Sequence, residues 1–259
     1  MKDIEIFLDQ TSEILSKDPR IIALCVGGSW LTKEIDSYSD LDLVIISKED
    51  LSSSKENMVN IANRLGSLCS AFTGEHVGEP RLLICLYENP ILHVDLKFVQ
   101  LEDYHTRVEN PTIIWEKDRI ITKAIENSIA KWPLPDLQWI EDRFWVWIHY
   151  AATKLGRGEY FETIDFISFL RTNVLGPLLH MKYGSLPRGV RKLEFLLNEQ
   201  DQTKLRATIP EYSFHSIKLA ILTIIDIYKE LQTTLFDKGI HKLPKAESIS
   251  ILYLNNIKK

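Results

Sequence analysis

Apolar and polar positions follow two different rhythms along this chain. Near the start, apolar side chains fall at Ile4, Phe7, Leu8, Ile14 and Leu15, a helical spacing that Pro19 brings to an end. Residues 21–26 form a short apolar run closed by Gly27-Gly28, which predicts a strand. A brief helix is expected from Ser29, with its hydroxyl as the cap, and a second strand over residues 41–47. Residues 50–72 contain a further helix that Ser52, Ser53 or Ser54 can cap. Residues 81–87 and 91–99 predict two strands joined by a hairpin turn at Glu88-Asn89-Pro90, and residues 112–115 predict a fifth, with an apolar piece at 119–122 beside it. This order gives an α+β unit, a mixed β-sheet flanked by helices.

The rhythm changes at Lys131-Trp132-Pro133-Leu134-Pro135-Asp136. Two prolines stop any helix there, and Asp136 is a good N-cap for the next one. Beyond it, residues 137–155, 160–183, 190–198 and 213–236 all carry helical periodicity, broken by Gly156, Gly158, Gly184, Pro187 and Pro210. The expected organisation is therefore two domains: residues 1–131 with the sheet, and residues 132–259 as an α-helical bundle.

A chain of 259 residues is long enough for this, and 45% hydrophobic with 26% charged residues is ordinary for a soluble globular protein. The net charge of −5 argues against a protein that binds nucleic acid through phosphate contacts. No basic region followed by an apolar run opens the chain, and no stretch approaches the roughly 18 apolar residues of a membrane span. A cytoplasmic location without membrane contact is the expectation. Cys25, Cys69 and Cys85 sit in apolar sequence without metal-ligand spacing and read as buried free thiols. None of the histidines has zinc spacing.

The chemistry concentrates between Gly27 and Asp42. Gly27-Gly28-Ser29 follows the first strand, and after ten intervening residues comes Asp40-Leu41-Asp42. Residues two apart on a strand face the same way, so Asp40 and Asp42 project together while Leu41 and Leu43 point into the core. Such a pair repels unless a cation lies between, and Mg²⁺, which takes carboxylates and phosphate oxygens, suits it. Asp95 alternates in the same manner in Leu92-His93-Val94-Asp95-Leu96-Lys97-Phe98 and joins that face if its strand lies beside the second. Three carboxylates around one or two divalent ions suit phosphoryl or nucleotidyl transfer. The glycines let backbone amides approach a phosphate, and Ser29 adds a donor.

With Ser39 before the aspartates and Val44-Ile45-Ile46 after them, this pattern resembles the signature of the DNA polymerase beta-like nucleotidyltransferases. Within that superfamily the chain resembles the bacterial aminoglycoside 6-adenylyltransferases and lincosamide nucleotidyltransferases. The resemblance implies an N-terminal nucleotidyltransferase catalytic domain and a C-terminal helical domain that binds substrate and nucleotide, with the acceptor between them. It implies Mg²⁺-dependent transfer of a nucleoside monophosphate, usually AMP from ATP, to a hydroxyl of a small molecule such as an aminoglycoside-like antibiotic. Asp40, Asp42 and Asp95 would be the catalytic residues and hold two Mg²⁺ ions, with Asp95 as ligand or as base. Gly28, Ser29 and Lys154 would bind the nucleotide. One departure is the intervening loop, made acidic here by Glu34 and Asp36.

In the second half, Phe144-Trp145, Tyr150, Ala152, Lys154-Leu155, Arg157 and Glu159 resemble the helix that opens the C-terminal domain of the aminoglycoside enzymes. Arg143 lies eleven residues before Lys154 and shares its helix face. Trp139, Trp145 and Trp147 read first as core. Glu141, Asp142, Glu159, Glu162 and Asp165 are candidates for binding a cationic acceptor or for a general base. His93 and Lys97 flank Asp95 on its face. The competing reading is a nucleotide-binding regulatory or antitoxin-like module that has kept the fold without turnover, against which the three intact aspartates speak.

Overall fold

The computed structural model describes residues 2–259, and it divides into two compact units, Met1–Trp132 and Pro133–Lys259. The first unit is built on six strands: β1 (Ile21–Val26), β2 (Leu41–Ser47), β3 (Ser67–Gly74), β4 (Glu79–Glu88), β5 (Leu92–Gln100) and β6 (Thr112–Glu116). Their order across the sheet is β3-β4-β5-β2-β1-β6. Only the central pair, β2 with β5, is parallel; every other neighbouring pair is antiparallel.

The two faces of this sheet differ, because side chains alternate along each strand. One face is almost wholly apolar. Leu24, Leu41, Leu43, Ile45, Val94, Leu96 and Phe98 pack there against the apolar stripes of α1 (Lys2–Ser16) and α2 (Lys55–Ala62). Each of these buried aliphatic side chains contributes about 1.5–3 kcal/mol by leaving water. The opposite face has a smaller cluster around Ala23, Cys25, Ile46 and Tyr104, covered by α3 (Ile120–Glu126). Asp42 and Asp95 lie on that second face, since they alternate with Leu43 and Leu96.

Several local expectations hold and others change. Ser54 caps α2 by accepting from the Asn57 amide, and the β4–β5 hairpin turns through a cis Asn89–Pro90 bond. The piece at 119–122 belongs to α3. Ser29 caps nothing: the turn Gly28–Trp30 is a single 3₁₀ turn that starts from Gly27 with no side-chain cap. The periodicity of residues 50–72 also misses β3. That edge strand is largely exposed and pairs only with β4, so its sequence carries no apolar alternation to announce it. Cys69 lies on it and is exposed, which corrects its assignment as a buried thiol. Cys25 and Cys85 are buried as expected, and burial pushes both thiols up to about 12, leaving them unreactive.

The second unit is helical throughout: α4 (Leu137–Gly156), α5 (Tyr160–Leu170), a π-helical turn (Arg171–Leu175), α6 (Gly176–Lys182), α7 (Leu193–Leu196), α8 (Glu199–Arg206), α9 (Phe214–Leu235) and α10 (Pro244–Asn256). Asp136 caps α4 through the Trp139 amide at 3.0 Å. Phe144 of α4 stacks on Tyr228 of α9 with ring centroids 3.5 Å apart, and this pair lies in a core shared with Ile148, Ile221 and Ile224. The helix expected over 190–198 shrinks to the one turn of α7, because Gly189 and Lys192 both adopt positive φ. Helix α8 went unread because Leu205 is its only apolar residue; Asn198 starts it by accepting from the Asp201 amide. Helix α10 also went unread; it opens on Pro244, whose missing N–H costs nothing in a first turn.

Among the described residues, no helix is long and apolar enough to cross a membrane.

Candidate active site

Parallel pairing puts Asp42 of β2 directly beside Asp95 of β5. Asp40 stands just before β2. One carboxylate oxygen from each of Asp40, Asp42 and Asp95 lies within 4.8 Å of the others, and all three residues are half-buried. Three acidic side chains this close, all offering oxygen, match the donor set that hard divalent ions such as Mg²⁺ require. The expected face is therefore assembled by pairing, and the three aspartates can hold such an ion.

The Gly27-Gly28-Ser29 turn lies against the same carboxylates. The Gly27 N–H donates to the Asp42 carbonyl at 2.9 Å, which extends the β1–β2 ladder past the end of β1. Gly28 has φ +59°, and a Cβ there would come within 1.8 Å of the Asp42 Oδ2. Only glycine fits both the backbone and the carboxylate. Ser29 occupies the following position of the turn, and its carbonyl accepts from the Glu34 amide at 3.1 Å.

The acidic loop that follows is organised by its own side chains. Thr32 donates to Glu34 Oε2 at 2.9 Å, and Asp36 Oδ1 accepts from the Tyr38 amide at 2.8 Å and the Ser39 hydroxyl at 3.0 Å. These carboxylates shape the turn leading to Asp40.

One residue of the site was not read from the sequence. Glu109 Oε1 accepts from the Gly28 N–H at 3.2 Å, so a carboxylate sits on the amide that the glycine turn offers. Glu109 precedes β6, whose Thr112 pairs with Val26 at the end of β1, and this places it beside the turn. Its only available signal was the fifth strand itself: antiparallel pairing of 112–115 with 21–26 would have set Glu109 next to Gly27-Gly28.

Beside Asp95, His93 and Lys97 have different partners. His93 Nε2 is 3.0 Å from Asp95 Oδ1, whereas Lys97 Nζ is 2.8 Å from Glu79 Oε2. Arg81 grips the same Glu79 through Nε at 2.7 Å and Nη2 at 2.9 Å. These bonds from Arg81, helped by Lys97, bring the Glu79 carboxyl down to about 2. Lys97 thus closes an ion-pair cluster at β4–β5.

Within the second unit, Lys154 Nζ lies 2.7 Å from Glu159 Oε2 and 5.3 Å from the centre of the Tyr150 ring. The Glu159 carboxylate raises the Lys154 ammonium above its ordinary value. Arg143 stacks over Trp139 at 4.1 Å. Trp145 is core, but Trp139 is exposed, and with Trp147, Phe169, Phe166 and Tyr150 it forms a chain of ring contacts 4.8–5.5 Å apart along α4 and α5. Glu141 is not available to an acceptor. It is 1% exposed and accepts from Tyr228, Gln232, the Trp145 indole and the Leu243 amide. It ties α4 to α9 and to the start of α10.

Residues 8–108 match the family model described as nucleotidyltransferase domain. No curated protein matches the chain. Solved structures similar to it include an aminoglycoside 6-adenyltransferase from Bacillus subtilis, at 15% identity over 97% of each chain with a TM-score of 0.45. A nucleotidyltransferase-like protein from Exiguobacterium sibiricum is 14% identical over 96% of this chain and 78% of its own, with a TM-score of 0.39. A spectinomycin adenyltransferase from Enterococcus faecialis is 12% identical over 98% of this chain and 99% of its own, with a TM-score of 0.32. The family match spans β1, β2 and β5, the strands that bring Gly28, Asp40, Asp42 and Asp95 together. Residues 8–108 of the chain thus match a nucleotidyltransferase domain.

Proposed function

We propose that this enzyme transfers a nucleoside monophosphate, AMP from ATP, to a hydroxyl of a small aminoglycoside-like molecule, with Asp40, Asp42 and Asp95 as the catalytic carboxylates. The observation that carries the reading is the placement of these three acids on one sheet face, beside a glycine turn with an amide directed at an anion. Residues 1–131 are then the catalytic domain, and residues 132–259 bind substrate and nucleotide.

Asp40, Asp42 and Asp95 would hold Mg²⁺, one ion or two. When bound, a divalent ion offsets charge on the triphosphate and lowers the pKa of a coordinated hydroxyl. The chain's own groups do the rest. Gly28 N–H and the Ser29 hydroxyl donate to phosphate oxygens, and Glu109 withdraws from Gly28 to admit them. The acceptor oxygen bonds to the α-phosphorus as the bond to pyrophosphate breaks. Asp95, oriented by His93, is the group to take the hydroxyl proton. Lys154 is assigned to the triphosphate. On α4 and α5, the partly exposed aromatic chain ends at Tyr150, whose hydroxyl donates to Glu162; rings for C–H faces and a carboxylate for an ammonium group suit an amino sugar.

The test is pyrophosphate release with Mg²⁺ and each of the four nucleoside triphosphates, against panels of aminoglycosides and lincosamides. Release with one acceptor class, absent in Asp42→Asn, is the expected result. Tight nucleotide binding without product from any pair would favour the regulatory reading instead.

A further inference from the structure

The second unit contains a cleft of about 260 Å³ unconnected with any residue assigned above. Val190, Leu193, Leu197 and Leu205 supply its apolar lining, and Arg171 lies among them. Arg171 begins the π-helical turn, where the Gly176 N–H reaches back to the Arg171 carbonyl. Such turns widen a helix locally and recur at functional positions.

Arg171 is half-buried, and no carboxylate lies within ion-pairing distance of it among the described residues. Its only hydrogen bonds run from Nη1 to the Thr208 carbonyl at 2.7 Å and hydroxyl at 3.5 Å. The Nε–Nη2 edge makes none. Elsewhere in this chain that same edge grips a carboxylate twice, Arg20 on Asp18 and Arg81 on Glu79. Partial burial without a counter-ion draws the Arg171 pKa down, and the unbonded edge stays open, so an anion that reaches it gains a charge-assisted pair in a partly desolvated cleft.

The other charges around the cleft narrow the choice of anion. Arg206 is bonded to Gln202 at 2.8 Å, and Glu194 adds a negative charge to the lining. Two cations, Arg171 and Arg206, and one carboxylate, Glu194, give the lining a net charge of +1, which favours a monoanion over a phosphate ester or a nucleotide. The planar edge of Arg171 matches a carboxylate's two oxygens.

We propose that this cleft binds a small amphipathic monocarboxylate, its head on the Nε–Nη2 edge of Arg171 and its apolar body among Val190, Leu193, Leu197 and Leu205. The site goes beyond the transferase reading and is independent of it.

Hexanoate is the probe, titrated into the full chain by calorimetry and by two-dimensional NMR, with hexanol and hexyl phosphate as controls. Saturable hexanoate binding is expected, weakened about tenfold or more in Arg171→Met. Hexanol and hexyl phosphate should each bind more weakly than hexanoate. Ile209→Trp, at an exposed position of the lining, should block the cleft while leaving the circular dichroism and melting temperature unchanged. Absence of saturable binding, an affinity unchanged from the parent in either variant, or tighter binding of hexyl phosphate would each overturn the proposal. Because no turnover is measured, failure here leaves the transferase reading intact, and the reverse.

Discussion

Asp42 and Asp95 are neighbours across the parallel pair β2–β5, in the same register row, although 53 positions separate them in the chain. Their proximity is a property of the sheet, and the chemistry proposed for the protein depends on it.

Replacing either partner by asparagine keeps the shape and removes a charge. Asp42→Asn and Asp95→Asn are expected to lower kcat by about 10³-fold or more, as for loss of a principal electrostatic group, with little change in melting temperature. Pyrophosphate release and a thermal melt, run on the same preparation, separate the two effects. Activity within tenfold of the parent would remove these carboxylates from the mechanism.

Gly28→Ala should be nearly as damaging, for a different reason. The new methyl would enter the space of the Asp42 carboxylate at a φ that L-residues avoid, a strain of about 1–3 kcal/mol. Nucleotide turnover should fall as Asp42 is displaced. A variant crystal structure in which Asp42 keeps its place would contradict this account.

Glu109→Gln removes a negative charge from the amide that a phosphate needs. The apparent Kd for nucleotide, measured by fluorescence or calorimetry, should fall several-fold, and its dependence on salt should weaken. Weaker nucleotide binding in this variant would mean that Glu109 helps hold the ligand.

Acid stability should report on Glu79. Its carboxyl is depressed to about 2 in the folded protein by Arg81 and Lys97, against an ordinary value of 4.5. A depressed folded-state pKa stabilises above the unfolded value, so this contribution is complete above about pH 4.5 and is lost as pH falls toward 2. Urea midpoints of Glu79→Gln should therefore change less steeply with pH across that window than those of the parent. Parallel slopes would show that the cluster is too well solvated to matter.

Glu141→Ala tests the buried network of the second unit. Tyr228, Gln232, Trp145 and Leu243 would lose their shared acceptor in a closed core, and a loss of about 3 kcal/mol or more is expected from urea unfolding. Transferase activity at low temperature should persist in the fraction that stays folded.

The legible parts of this chain were those with strong local periodicity. The runs at 21–26 and 41–47, the alternation around Asp95 and the long amphipathic helices α4 and α9 are set by burial on one or two faces, and burial leaves a pattern. Strand β3 and helix α8 escaped because both are largely polar: pairing with β4 holds the first, and the Asn198 cap with packing on α9 holds the second. Asp40, Asp42 and Asp95 could be grouped because each sits in a run whose alternation fixes its face. Glu109 could not, since it lies in a loop and owes its place to the pairing of β6 with β1. Glu141 looked like a surface acid from its neighbours, and only the approach of α9 makes it a core residue.

The alternation of β5 has one more consequence. Val94, Leu96 and Phe98 are buried on one face while His93, Asp95 and Lys97 lie on the other. A slip of β5 by one residue against β2 would drive Asp95 and Lys97 into the apolar layer and expose Phe98. The oily side of the sheet thus proofreads the acidic side: a chain that pairs out of step loses its core before it can misplace its carboxylates.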